Sequence, residues 1–173
     1  MKKGNEMGCD IHAWAEVYQR NYENKFEWNA VGKIWPYPYH SNNVLNTFHY
    51  FKDDEDESDE ETWESNKLWS EHPYMGRNYM LFSLLANVRN NGTIVPLDSP
   101  RGVPDNASAY YKHQVESWND DGHSHSYFNL EELEKIDWEN QIFGDFVETI
   151  SRLQELKDYD NVYDVRLVFF FDN

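Results

Sequence analysis

Two short segments of this chain carry residue types that do chemistry. In Asp120-Asp121-Gly122-His123-Ser124-His125-Ser126 two histidines stand two residues apart. In an extended backbone that spacing turns both imidazoles to one side, as two ligands of one metal ion or two cooperating proton carriers require. The second segment, Gly8-Cys9-Asp10-Ile11-His12, opens a stretch that alternates Ile11, Ala13, Ala15 and Val17 with Asp10, His12, Trp14, Glu16 and Tyr18. A strand reading puts the latter set on one face. Asp10, His12, His123 and His125 together would offer a ligand set for a divalent metal, zinc or manganese, with an open position for water. His123, His125 and Glu16 are the candidate acid–base groups, with Asp121 as a further base. No His-Glu-X-X-His or Cys-X-X-Cys motif accompanies them, so a metal-free arrangement, with one histidine as base and another orienting a phosphate, uses the same residues. The plainer alternatives stay open: Asp-Asp-Gly makes an ordinary turn, and a half-buried strand ordinarily sends its polar face to solvent.

A third constellation is cationic. Arg77, Arg89 and Arg101 sit in Gly76-Arg77-Asn78-Tyr79, Val88-Arg89-Asn90-Asn91-Gly92 and Pro100-Arg101-Gly102-Val103-Pro104, among residues that shape the backbone. Any one of them could simply pair with a surplus carboxylate. As a set they suit phosphate, which guanidinium forks bind bidentately, and Arg77 with Asn78 falls at a helix start where free N–H groups favour an anion. Tyr79, Trp118 and Tyr127 could stack on a base or ring. Cys9, beside Asp10, reads as a small buried residue, since nearby carboxylates oppose a reactive thiolate.

Composition bounds what such a site can serve. The chain has 173 residues, of which 39% are hydrophobic and 17% aromatic, enough for the core of one domain. Fifteen Lys and Arg against 32 Asp and Glu give a formal charge of -17. That charge opposes long nucleic acid and anionic membrane, but not a small anion gathered by a few arginines. One cysteine cannot form an intrachain disulfide, and no run of apolar residues is long enough to span a bilayer, so a reducing cytoplasm is expected. Nothing in the sequence sets the number of subunits, and a homo-oligomer stays open.

The elements follow from periodicity. Strands are predicted over 10–18 and 26–35, joined by a turn at 21–24. Periodicity fails over 36–73, where eight of the nine residues Asp53–Glu61 are acidic, which predicts a solvated loop at about 52–62. Trp63 and Trp69 read as its docking anchors or as a lid. A helix is predicted over 78–90, stopped at Asn91-Gly92, followed by a proline-rich loop over 96–105. Asn129 and Glu132 make a capping box for a helix to about 135. A second helix runs over 141–157 on Ile142, Phe146, Ile150 and Leu153, and an apolar strand over 162–171 reads as central. The order predicts an α+β fold whose antiparallel sheet includes the N- and C-terminal strands, with helices packed on one face.

The chain resembles a family of small, mostly uncharacterised proteins encoded by tailed bacteriophages and prophages. The resemblance rests on Met7-Gly8-Cys9-Asp10-Ile11-His12, Gly76-Arg77-Asn78-Tyr79, Leu85-Ala86-Asn87-Val88-Arg89-Asn90, Pro100-Arg101-Gly102-Val103-Pro104, Asp121-Gly122-His123-Ser124-His125-Ser126 and Asp164-Val165-Arg166-Leu167-Val168-Phe169-Phe170-Phe171-Asp172-Asn173. These motifs span nearly the whole length. The chain departs from the family at Asn119–Asp121, where a glycine is common after the tryptophan, and in its acidic insertion. A phage origin implies work in the host bacterial cytoplasm, and one such job is to disarm nucleotide-signalling defence by sequestering or cleaving the messenger. The leading expectation is therefore a domain that binds a small phosphorylated, nucleotide-like ligand, with Arg77, Arg89 and Arg101 as clamps and Asn78, Tyr79 and Trp118 lining the site. The rivals are a metal-dependent hydrolase or phosphodiesterase, and an acidic nucleic-acid mimic that blocks a host enzyme.

Overall fold

The computed structural model describes residues 8–20, 24–31, 73, 74, 76–139 and 142–173. The acidic run 53–61, Trp63 and Trp69 lie outside the described residues. Four strands form one antiparallel sheet: β1 (Ile11–Arg20), β2 (Phe26–Ala30), β3 (His123–Asn129) and β4 (Val162–Phe171), in the order β2-β1-β4-β3. The fold is α+β, and the first and last strands are neighbours at its centre. Their register runs from Ile11 opposite Phe171 to Glu16 opposite Arg166 and on to Val17 opposite Val165.

The unbroken apolar run of β4 has a physical reason: both faces of the central pair are covered. On one face Ile11, Ala13, Ala15, Val17, Val165, Leu167, Phe169 and Phe171 make the larger core. Helices α1 (Tyr79–Ala86), α3 (Leu130–Leu133) and α4 (Val147–Lys157) pack there. α2 (Ala109–Trp118), a helix that the sequence reading did not place, covers the other face. Tyr110 and Tyr111 of α2 pack against Trp14, Val168 and Phe170. The β1 face expected to be polar is thus largely interior: Trp14 is 1% exposed and Glu16 is fully buried.

Element boundaries differ from periodicity where caps decide. α1 stops at Asn87, not at Asn91-Gly92, because Asn87 adopts the left-handed conformation (φ 58°) and donates to the carbonyl of Ser83 at 3.0 Å. α4 begins only at Val147, after a 3-10 turn over 144–146, which leaves Ile142 outside the helix and exposed. The capping box is present as predicted, with Glu132 accepting from the Asn129 N–H at 2.9 Å. The outer edge of β3 is occupied by the loop before α2. The Gly102 N–H donates to the carbonyl of His125 (2.8 Å) and the Arg101 N–H to the Ser126 hydroxyl (3.2 Å), which removes part of a free strand edge.

Glu16 ties these layers together. Its Oε2 lies 2.6 Å from the Arg166 guanidinium, and its Oε1 accepts from the Ser108 N–H at 2.8 Å. Ser108 is the N-cap of α2, and its hydroxyl in turn accepts from the Tyr111 N–H. Glu16 therefore supplies from a strand the bond to the N-cap N–H that a capping-box glutamate supplies from within a helix. Arg166 also donates to Asn106 (2.9 Å to Oδ1) and lies 3.9 Å from the centre of the Trp28 ring. The expectation that Glu16 is a catalytic base is corrected: both its oxygens are engaged and neither reaches a surface.

Truncating one member of a buried ion pair strands the other in a dry environment. Glu16→Ala should destabilise the fold by about 3–5 kcal/mol. Urea denaturation followed by tryptophan fluorescence reads this directly, and a loss under about 1 kcal/mol would mean that the pair behaves as a surface contact.

Candidate functional site

The sheet register brings the predicted motifs to one end, where β1 begins, β4 finishes and β3 begins. Ile11 and His123 are both opposite Phe171. Just beyond, Asp172 donates its N–H to the Asp10 carbonyl (3.1 Å), while its Oδ1 accepts from the Asp10 N–H (3.0 Å). Its Oδ2 lies 3.0 Å from Nε2 of His12. One carboxylate thus fixes the entry of β1 and orients the imidazole. The ring of His12 rests against Trp118, with centroids 4.2 Å apart, and against Phe170 at 5.1 Å. Trp118 is the last residue of α2, so the helix on the second face delivers it to the site.

Arg77 approaches from the other chain segment. Its Nε and Nη2 bind the two Asp10 oxygens at 2.7 and 2.5 Å, a bidentate fork at the surface. The Arg77 hydrogen bonds hold the Asp10 carboxyl below its usual pKa. Gly8 makes room for this fork, since a Cβ there would stand 3.0 Å from Nη1 of Arg77. Arg89 comes to the same stretch. It reaches Oδ1 of Asn173 at 3.4 Å and lies 5.9 Å from the Tyr79 ring centre, and its charge bears on the Cys9 thiol. Burial raises the Cys9 pKa and outweighs the opposing pull of Arg89, so the reading of Cys9 as a small buried group is consistent. The Tyr79 hydroxyl accepts from the Cys9 N–H at 3.4 Å.

Backbone strain gathers around the same place. Among the described residues six non-glycine residues have positive φ; four are asparagines, which tolerate it, and the other two are Arg89 (φ 54°) and Ser124 (φ 53°). Ser124 lies in a β-bulge between His123 and Ser126. The bulge breaks the two-residue period, so His123 lies by Phe171 (6.2 Å) and His125 by Phe170 (5.2 Å), residues of the two opposite core layers. The expectation that both imidazoles point the same way is corrected on this ground. His123 shares a 2.9 Å contact between Nδ1 and the Ser124 hydroxyl. The Nε2 atoms of His123 and His125 are shielded from solvent and have no hydrogen-bond partner among the described residues. Burial, and then the neighbouring His123, lowers the His125 pKa.

The remaining predicted residues divide. Asp10, His12, His123 and His125 do not form the expected ligand set: among the described residues no three His, Cys, Asp or Glu are grouped to hold a metal ion. Asp10 instead faces Arg77 and His12 faces Asp172. Asp121 is exposed in a 3-10 turn at Asn119–Asp121. Arg101 does not join the other arginines; it is bound to Glu132 at 3.0 and 2.8 Å, to Asp98 at 2.9 Å and to the Tyr127 carbonyl at 3.2 Å. These bonds make it a strut between loop and β3. Asn78 caps α1, accepting from the N–H groups of Met80 and Leu81 at 3.1 Å, while its amide donates to Asp145 at 2.9 Å. Tyr127 lies within 6 Å of two guanidiniums, those of Arg101 (5.5 Å) and Arg166 (5.8 Å), and is no open platform. Asp172 and Asn173 were missed by sequence reasoning; the available signal was a polar pair closing a strongly apolar strand.

Fold and site together define an α+β domain with an Arg-, His- and Tyr-bearing sheet end. The chain matches no protein-family model, no curated protein and no solved structure. No helix among the described residues is long and apolar enough to cross a membrane.

The lowered pKa of His125 has a signed consequence. Its ordinary value is 6.5, and the folded value lies below that. The unfolded chain therefore takes up this proton first as pH falls. The His125 contribution to stability is complete above pH 6.5 and is lost as pH drops from 6.5 through the folded pKa. Thermal melts between pH 8 and 5 should show a fall in Tm that His125→Leu reduces; an unchanged slope would place the titration elsewhere.

Proposed function

We propose that this domain binds a small phosphorylated, nucleotide-like ligand at the sheet end, with Arg77 and Arg89 as the anion contacts. The observation that carries the reading is the arrival of two guanidiniums along the single stretch Gly8–Asp10 in a chain of charge -17. An acidic protein has no shortage of carboxylates elsewhere, so local concentration of Arg is what favours an anion there. Tyr79 and Trp118 border the cluster and offer ring faces to a base. The His12–Asp172 pair supplies an oriented imidazole beside them. Arg101 and Asn78 are left out because their donors are already used within the fold.

In the tailed-phage setting that the sequence resemblance implies, such a domain sequesters a host nucleotide messenger and so blunts signalling defence. A metal-dependent hydrolase has less support, since among the described residues no three of the proposed ligands are grouped to hold a metal ion. The acidic-mimic reading rests on the run 53–61, outside the described residues.

Protein purified from bacteria should release an intact phosphorylated small molecule on heating, detected by mass spectrometry. Recovery of only breakdown products would replace sequestration with cleavage. Arg77→Ala and Arg89→Ala should each weaken that ligand about tenfold or more, the equivalent of about 1.5–3 kcal/mol for a charged hydrogen bond. Arg101→Ala should lower Tm while leaving affinity within about twofold of wild type, the size of an unrelated surface change. Equal loss of affinity in all three would return Arg101 to the site.

A further inference from the structure

The loop after α1 carries a reactive pair that the candidate site does not use. Asn91-Gly92 is the one Asn-Gly step in the sequence, and Asn91, Gly92 and Thr93 are all exposed. We propose that Asn91 is a spontaneous modification site, at which Thr93 activates the side-chain amide for attack by the Gly92 nitrogen, converting Asn91 to aspartate and isoaspartate. The proposal does not depend on the anion-binding reading.

Two donors from one residue meet the Asn91 carbonyl. Its Oδ1 accepts from the Thr93 N–H at 3.3 Å and from the Thr93 hydroxyl at 2.8 Å. The first bond closes a turn in which the asparagine side chain stands in for a backbone carbonyl, and this folds Cγ back toward the peptide that joins Asn91 to Gly92. Attack on Cγ places negative charge on Oδ1. Both donors already point there, so their bonds strengthen as the charge develops. Gly92 supplies the attacking nitrogen with no Cβ beside it, and its φ of 89° is a conformation that favours glycine.

The frame around this pair is held by Asn90. Its Nδ2 donates to Oδ1 of Asn87 and to the Ile94 carbonyl, both at 2.7 Å, and its Oδ1 accepts from the Gly92 N–H at 3.0 Å. These bonds reach to both sides of Asn91. The one to Gly92 lies at the exposed surface, where water replaces it at little net cost when base takes the proton.

The Gly92 nitrogen loses its proton to solvent base and bonds to Cγ. The Cγ–Nδ2 bond then breaks, and ammonia leaves with a proton returned by solvent, closing a cyclic imide. Water opens either carbonyl of that ring, giving aspartate or isoaspartate. Asparagine and water are consumed, and the acid and ammonia are formed. The product adds a carboxylate close in sequence to Arg89, at the border of the candidate site.

Purified protein held at mildly alkaline pH, with its tryptic peptide Asn90–Arg101 followed by mass spectrometry, tests this. Thr93→Val, Thr93→Ser and the free peptides of the same sequences are the comparisons, with circular dichroism confirming each fold. Asn91 should convert faster than every other described asparagine. Thr93→Val should slow it about threefold or more in the folded protein, the worth of one hydrogen bond at a surface, while the matching free peptides differ little. Thr93→Ser, which keeps the hydroxyl, should stay within about twofold of wild type. Conversion of Asn91 no faster than at the other asparagines overturns the proposal. So does slowing by valine that is absent from the protein or equal in protein and free peptide, since reactivity would then follow from the Asn-Gly step alone. Slowing by serine as great as by valine removes the hydroxyl from the account and overturns it as well.

Discussion

The buried pair between Glu16 and Arg166 is the contact on which the other layers hang. The two residues are opposite each other on the central strands, so their bond sits at the middle of the β1–β4 ladder. A one-residue slip of that ladder would turn Glu16 into the opposite core and leave both charges unpaired, a cost of several kcal/mol per ion. The pair thus fixes register more than it adds net stability, because desolvation offsets much of its attraction. Through Ser108 and Asn106 it also positions the start of α2. α2 carries Trp118 to the ring of His12 at its other end. An interior interaction near the middle of the sheet therefore governs the packing of a residue at the candidate site.

The sheet end inherits its geometry from that register. With Ile11 opposite Phe171, the next residue of β4, Asp172, falls where it can clasp Asp10 by the backbone and His12 by the side chain. The bulge at Ser124 then alters β3 relative to β4, and Tyr111 donates its hydroxyl to the Phe169 carbonyl at 2.9 Å beside the irregularity. Desolvation pushes the Tyr111 pKa well above its ordinary value, which keeps the hydroxyl a donor. Strain at Ser124 and Arg89, together with two shielded imidazole nitrogens, is a local cost carried at this end of the sheet. Its concentration beside paired arginines is what separates this end of the sheet from the other.

How much of this was legible depends on whether a residue's role is local. The capping box at Asn129 and Glu132, the apolar β4 and the alternation in β1 are local patterns, and the structure has all three. α2 was not legible because its sequence, Ala109–Trp118, buries only Tyr110 and Tyr111 and so lacks a sustained apolar stripe. Missing that helix made the polar-looking face of β1 seem solvated and made Glu16 look available. The metal set failed for a related reason: His-X-His converges only in a regular strand, and Ser124 breaks the period. All three arginines were singled out through their sequence neighbours, whereas the separate employment of Arg101 depends on Glu132, a contact that spacing does not reveal.

The electrostatics of the site reconcile its charge with the chain's. Asp10 and Asp172 stand among Arg77, Arg89 and His12, so the cluster is nearly self-neutralised. Such balance lets two guanidiniums coexist without mutual repulsion. Arg77 is held by a carboxylate at the surface, where exchange is easy, while Arg101 is held by two carboxylates and a carbonyl, where it is not. That difference in competition, more than any difference in residue type, divides the arginines into an exchangeable surface pair and a structural strut.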